Sequence, residues 1–178
     1  MANIEELRER IKTVRQQVFD KLPELAVQNT ILAKNLIERN IRDVGFGAEY
    51  SNEAIPAFFF KGKDLNNQGV KFIDDKIAAN ENMTWAELRK AQGLPTDHVN
   101  LSYTNQMWAG MEPMPPVYKD GIIISNLGGN KPDVVDKMNW NKARYGDFLG
   151  KVLTQKEIEI LTQVLIEELG VILKNNGF

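Results

Sequence analysis

Apolar residues recur every three or four positions at the start of the chain. They are Ile4, Leu7, Ile11, Val14, Val18 and Leu22. This spacing places them on one stripe of an α-helix, with charged residues of both signs between them. Pro23 interrupts the pattern. Because its ring opposes the helical backbone before it, we expect a kink or a short break at residues 21–23.

A second helical pattern follows from Glu24 to Val44, and its apolar face is wider than a surface helix needs. We therefore expect this helix to be central. Gly45 and Gly47 are predicted to end it, since glycine readily adopts the left-handed conformation that closes a helix.

No lasting period is found in residues 46–83, which are predicted to form an irregular arm or long loop. Irregular segments of this length are uncommon inside compact domains and are usually functional or flexible. Phe58, Phe59 and Phe60 lie in it consecutively, so they cannot all face one core from a regular element. We expect at least one of them to contact a neighbouring subunit.

Two capping boxes mark helix starts in the second half of the chain. Thr84 with Glu87 predicts a short helix to about Gln92, and Thr154 with Glu157 predicts the last helix. A further helix is predicted over residues 133–145.

Strand signals are confined to the middle of the chain. Asp120-Gly121 is a strong hairpin turn, which predicts that residues 117–118 pair with residues 122–127. The fold class is therefore α+β, with long N-terminal and C-terminal helices around a small antiparallel sheet.

Composition narrows the range of functions. The chain has 178 residues, 22 basic and 24 acidic, with a net charge of −2, which suits a single domain over residues 1–178. It has no cysteine and one histidine, which excludes disulfides, thiolate metal sites and cysteine nucleophiles. We expect no enzymatic activity and no cofactor. We also expect no membrane partner, because no apolar run approaches the roughly 20 residues of a bilayer span.

Several acidic and amide side chains could in principle bind a metal ion, but the sequence signal for such a site is weak. Asp64, Asp74 and Asp75, with Asn66, Asn67 and Glu81 nearby, carry many oxygen ligands, but their spacing does not match a calcium loop. A solvated loop is favoured there, and an oxygen-ligand metal hydrolase is the weakest hypothesis.

His98, beside Asp97, has no nucleophile motif nearby and is assigned no chemistry. The glycines at 45 and 47 and at 128 and 129 lack the spacing of nucleotide-binding loops.

Three pieces of the chain, in order, resemble a known family: residues 100–107, the helix and strand that flank them at residues 85–93 and 122–126, and residues 139–150. Residues 100–107, Asn-Leu-Ser-Tyr-Thr-Asn-Gln-Met, resemble the hydrophobic, Thr, Gly, x, Leu/Met signature of tailed-phage virion morphogenesis and tail-completion proteins. Residues 139–150, which contain a Phe-Leu-Gly step before the last helix, are similar to the closing segment of that family. The resemblance extends over residues 24–173.

The resemblance implies a structural protein of the virion, made in the host cytoplasm and placed in the neck or tail. Copies would form an oligomeric ring with other neck or tail proteins, and DNA would pass through it without sequence-specific binding. Neck, tail-terminator and tail-completion roles all stay open. The residues expected at the assembly interface are Phe58, Phe59, Phe60, Arg144, Tyr145, Phe148 and Leu149. The alternative is a helical adaptor or regulator that binds a host or phage protein through its N-terminal stripe, without forming a ring.

Overall fold

The computed structural model describes residues 3–63, 65–101, 106–150 and 152–178. The chain forms two compact units, which are described separately below. The first comprises Met1–Glu38 and Met107–Phe178, and the second comprises Arg39–Gln106. The expectation of a single domain stays a prediction.

The fold contains long helices, short helices and very short strands, as the α+β prediction requires. The helices are α1 (Ile4–Asp43), α2 (Asn67–Ala78), α3 (Trp85–Ala91), α4 (Gln106–Gly110), α5 (Pro132–Tyr145) and α6 (Gln155–Asn175), with a 3₁₀ helix at Ala57–Phe60. The strands are β1 (Ile55–Pro56), β2 (Asn82–Met83), β3 (Met111–Pro113), β4 (Val117–Lys119), β5 (Ile122–Ile124) and β6 (Leu127–Gly129). Both predicted capping boxes are formed, at Thr84 and at Thr154.

Helix α1 runs through Pro23 without interruption, so the two predicted N-terminal helices are one helix and no break separates them. Proline lacks the N–H that would bond to the carbonyl of Phe19, four residues earlier. The hydroxyl of Tyr118, from β4, donates to that carbonyl at 3.3 Å. A tertiary hydrogen bond therefore replaces the missing helical one.

The two terminal helices meet in the first unit, where the start of α1 contacts the end of α6. The guanidinium of Arg10 donates to the carbonyl of Gly177 at 2.8 Å and lies 5.0 Å from the ring centre of Phe178. The side chain of Asn176 donates to that of Gln17 at 2.7 Å. These contacts join the start of α1 to the C-terminal end of α6.

The strands of the first unit form two antiparallel pairs. Strand β4 pairs with β5 in the predicted hairpin, and Asp120 and Gly121 both have positive φ, as the tightest hairpin turns require. The second predicted strand ends early, at Ile124, because Leu127–Gly129 pairs instead with β3. The predicted small sheet is thus a set of separate two-stranded pairs.

The second unit has its own hydrophobic core. It consists of Ala57, Phe60, Ile73, Met83 and Leu88. These residues come from the 3₁₀ helix, α2, β2 and α3, so the prediction that residues 46–83 are irregular throughout is wrong. The side chain of Asn66 caps α2 by accepting a hydrogen bond from the N–H of Gly69 at 2.9 Å. Because the helix begins with polar residues, its hydrophobic pattern is not recognisable in the sequence.

Candidate functional site

Phe58 and Phe59 form an exposed aromatic pair in the second unit. Their side chains are 58% and 60% exposed, and their ring centres are 4.5 Å apart. Phe60, the third member of the triplet, is 1% exposed and belongs to the core. Two rings of the triplet therefore lie outside the core and one lies inside it, as expected of three consecutive phenylalanines that cannot all face one core. We call Phe58 and Phe59 the aromatic pair.

The backbone beneath the aromatic pair is held by the core of the second unit. Phe60 packs edge-on against Trp85, with ring centres 4.9 Å apart, and Ala57 is also buried. The N–H of Lys61 donates to the carbonyl of Phe58 at 3.1 Å, which closes the 3₁₀ turn. The pair is thus presented from an ordered support, which reduces the entropy lost when it binds a partner.

The closing segment of the predicted interface does not form one surface. Arg144 is exposed, with its guanidinium 5.5 Å from the ring centre of the half-buried Tyr145. Phe148 is 2% exposed and is a core residue of the first unit. Leu149 lines an open groove in the same unit. Phe148 therefore offers no surface to a neighbour, whereas Leu149 does.

This groove, which we call the leucine groove, has a volume of about 620 Å³ and lies within the first unit. Its walls come from α1, from the segment spanning β5 and the start of β6, from the turn before α6 and from α6 itself. The apolar lining residues are Leu22, Leu25, Ala26, Ala33, Ile37, Ile123, Leu127, Leu149, Leu153, Leu161 and Leu165. Most of these side chains are half-buried, so their remaining apolar surface faces the groove.

Oxygen atoms interrupt the apolar lining. The Oδ1 of Asn29 and the Oγ of Ser125 are buried and have no hydrogen-bond partner among the described residues. Asp147, which is exposed, is the one charged side chain among the described lining residues. A buried polar atom without a partner costs about 1–3 kcal/mol. Because the Asn29 and Ser125 oxygens are buried, the groove offers an occupant mainly apolar surface, and the exposed Asp147 favours an occupant that also carries positive charge.

The residues weighed for metal chemistry do not form a site among the described residues. Asp74 and Asp75 are exposed on α2, so they lie on a helix and not in the expected loop. Asn66 is the N-cap of that helix, and Asp64 lies outside the described residues. In the described part of the chain, no three His, Cys, Asp or Glu side chains are grouped to hold a metal ion.

His98 lies in a turn of the second unit, and its ring forms a hydrogen bond with the backbone at the end of α1. Its Nε2 lies 2.8 Å from the carbonyl oxygen of Arg42, and its Nδ1 lies 3.0 Å from a carboxylate oxygen of Asp97. The hydrogen bond to Arg42 is the main cause of a raised His98 pKa, and Asp97 acts in the same direction. The pKa of Asp97 is in turn lowered, chiefly by its hydrogen bond with His98. These contacts connect the turn at residues 97–98 to the last residues of α1.

Sequence reasoning missed a buried polar cluster around Arg89, which is 2% exposed. Its guanidinium donates to the side chain of Asn100 at 3.0 Å and lies 4.7 Å from the ring centre of Tyr50. Asn100 begins the segment that resembles the phage signature, while residues 102–105 of that segment lie outside the described residues. The sequence does not indicate that Arg89 is buried, because a lysine or arginine in a short amphipathic helix is normally exposed.

Within the described residues, no helix has the length and apolar character needed to cross a membrane. No protein-family model matches the sequence, and no curated protein or solved structure is significantly similar to it.

Proposed function

We propose that this chain is a structural protein that assembles with copies of itself, as a ring component of the head-to-tail connector or tail of a bacteriophage. The observation that carries the proposal is the coexistence of two unlike apolar surfaces. The aromatic pair protrudes from one unit, and the leucine groove is recessed in the other. Among the described residues, neither surface is covered by its own unit.

Two unlike surfaces suit a heterologous contact, in which one face of a copy binds a different face of the next. Such contacts generate a closed ring when the rotation between copies closes, and an open filament when it does not. The same contact made reciprocally between only two copies would instead give a symmetric dimer. The solution mass of the assembled chain therefore separates a ring from a dimer.

The charge of the chain agrees with a channel wall. Its net charge is −2, and Lys and Arg are balanced by Asp and Glu. A strongly cationic wall would bind the phosphate backbone and hold DNA in place. A nearly neutral wall lets DNA pass without sequence-specific binding.

The assignment to a phage rests on the resemblance of residues 100–107 and 139–150 to the tail-completion family. It implies that neighbouring neck or tail proteins are partners and that the protein is found in the virion. A test is to image the purified chain, alone and with candidate neck proteins, by negative-stain electron microscopy. Rings with an open centre support the proposal, and their absence under both conditions contradicts it.

Mass spectrometry of purified particles tests the location of the protein. The proposal predicts that the chain co-purifies with particles at a fixed copy number relative to the other neck or tail proteins. Absence from intact particles would contradict a structural role in the virion.

Because Phe60 is buried, a variant that tests self-assembly must leave Phe60 in place. Replacing all three phenylalanines with serine would not leave a folded monomer, because Phe60 is in the core of the second unit. Only Phe58→Ser with Phe59→Ser removes the exposed rings and spares the core. Val70→Ser is a matched control, because Val70 is an exposed apolar residue, 45% exposed, in the same unit.

A second candidate function, a helical adaptor, is favoured by one observation. Ile4, Leu7 and Ile11 of the predicted N-terminal stripe are all exposed, Ile4 by 84%. An exposed apolar helical stripe is a surface on which another helix packs. If Leu7→Ser with Ile11→Ser abolishes capture of a partner protein and wild-type chain stays monomeric, the adaptor is the correct assignment.

A further inference from the structure

We infer that the aromatic pair of one copy occupies the leucine groove of the next copy. This inference rests on the proposed self-assembly and names the two surfaces that make the contact. It commits to a second copy of this chain as the occupant, with Phe58 and Phe59 as the inserted side chains.

The size and polarity of the two surfaces agree. A volume of about 620 Å³ lies within the roughly 300–1,000 Å³ of sites that enclose a drug-sized molecule, and two adjacent phenyl rings are smaller than such a molecule. The walls are chiefly leucine, isoleucine and alanine side chains. Insertion would remove apolar surface from water on both sides of the contact.

The charges at the two surfaces are complementary. Lys61 and Lys63 follow the aromatic pair directly and are both exposed. The groove presents the exposed carboxylate of Asp147, and its described lining includes no lysine or arginine. The occupant that this lining favours, apolar with adjacent cationic donors, is thus present in the chain itself.

The contact is too small to hold two copies together by itself. A phenylalanine buries about 150–250 Å² in full, so two partly exposed rings contribute a few hundred Å², below the roughly 1,200 Å² of a stable interface. We therefore expect a weak contact between two isolated copies, strengthened when a ring repeats it. The test must trap this contact instead of relying on its affinity.

The absence of cysteine from the sequence makes site-specific crosslinking possible. One copy carries Phe59→Cys and keeps Phe58, and a second copy carries Ala33→Cys in the groove wall. The two copies have tags of different mass, are mixed in equal amounts and are oxidised mildly. The measurement is the rate at which the mixed disulfide dimer forms, read on a non-reducing gel.

A matched control places the second cysteine elsewhere on the first unit. Lys174 is exposed on α6, nine residues beyond the groove residue Leu165, which is about 13 Å along the helix. Insertion predicts that the Phe59→Cys and Ala33→Cys pair forms the mixed dimer at least tenfold faster than the Phe59→Cys and Lys174→Cys pair. Equal rates for the two pairs, or no mixed dimer with Ala33→Cys, would overturn the inference.

Charge reversal gives a second, independent readout. Adding Lys61→Glu and Lys63→Glu to the Phe59→Cys copy should slow the mixed dimer severalfold, and Asp147→Lys in the Ala33→Cys copy should restore the rate. No effect of reversal, or no restoration, would count against the placement of Lys61 and Lys63 beside Asp147 when the aromatic pair is in the groove.

Failure of this inference is separable from failure of the proposed function. If wild-type chain forms rings while the mixed disulfide does not form preferentially, self-assembly stands and a different surface makes the contact. If wild-type chain forms no oligomer alone or with neck proteins and the disulfide also fails, both are wrong.

Discussion

The hydroxyl of Tyr118 lies 3.3 Å from the carbonyl oxygen of Phe19, the acceptor that Pro23 deprives of its helical donor. The β4–β5 hairpin is thereby linked to the middle of α1 at the turn where Pro23 removes a backbone hydrogen bond. Helix α1 continues for 40 residues through this position, where the sequence predicted a kink or a short break.

A double-mutant cycle tests whether Tyr118 compensates for Pro23. Tyr118→Phe should lower the free energy of unfolding by about 0.5–1 kcal/mol in the wild-type background, because one hydrogen bond is lost. In the Pro23→Ala background the helical N–H returns and the same substitution should have almost no effect. Equal effects in the two backgrounds, measured by urea denaturation, would show that Tyr118 and Pro23 are not coupled.

Substitution of the buried Phe60 should lower the free energy of unfolding far more than substitution of the exposed Phe59. Phe60→Ala removes a buried ring from the core of the second unit and should cost about 3–5 kcal/mol. Phe59→Ala, at the exposed neighbour, should change the free energy of unfolding by less than about 0.5 kcal/mol. The measurement is denaturant unfolding at a concentration where the chain is monomeric. Similar losses at the two positions would mean that Phe59 is also a core residue.

The contribution of His98 to stability should depend on pH in a defined direction. The pKa of His98 is raised, chiefly by its hydrogen bond to the Arg42 carbonyl, although burial and Arg89 oppose this. A raised pKa in the folded state means that the protonated ring stabilises the fold. This stabilisation is complete below the unfolded pKa of about 6.5 and is lost as the pH rises through the folded value.

His98→Gln should therefore destabilise the chain more at about pH 5 than at about pH 8. The check is the difference in unfolding free energy between wild type and variant across this range. Asp97→Asn removes one of the interactions that raise the His98 pKa. It should reduce the pH dependence of the unfolding free energy without abolishing it. A loss of stability that grows with increasing pH would show that protonation of His98 does not stabilise the fold.

Asn29 should oppose stability while supporting assembly. Its buried Oδ1 has no partner among the described residues, so Asn29→Leu removes an uncompensated polar atom and should raise the free energy of unfolding by about 1 kcal/mol. The same variant fills part of the leucine groove and should weaken oligomer formation. Thermal unfolding and solution mass measure the two effects separately. A stabilised variant that assembles like wild type would exclude the groove from the interface.

Local signals in the sequence predict much of the fold. The capping boxes at Thr84 and Thr154 and the Asp120-Gly121 turn are confirmed, because each is decided by a few neighbouring residues. Helix α2 escapes prediction because its first turn, Asn-Gln-Gly, has low helix propensity. Its buried residue Ile73 belongs to a core with Phe60 and Leu88, which lie in other elements and are not indicated by any pattern within the helix.

The candidate site is predictable only in part. Consecutive phenylalanines indicate exposed aromatic surface, because the backbone of a regular element cannot turn three adjacent rings inward. The leucine groove is not predictable, since its walls come from residues more than 100 positions apart, such as Ala33 and Leu149. Likewise, no local pattern separates Leu149, which is open to the groove, from Phe148, which is buried.

Sedimentation equilibrium over a wide concentration range tests most directly whether this chain is built to bind copies of itself. For wild type we predict an average mass that rises above the 20.2 kDa of one chain as concentration increases. Phe58→Ser with Phe59→Ser should stay at the monomer mass, while the Val70→Ser control behaves like wild type. A double variant that is folded and associates as strongly as wild type would contradict the central role of the aromatic pair.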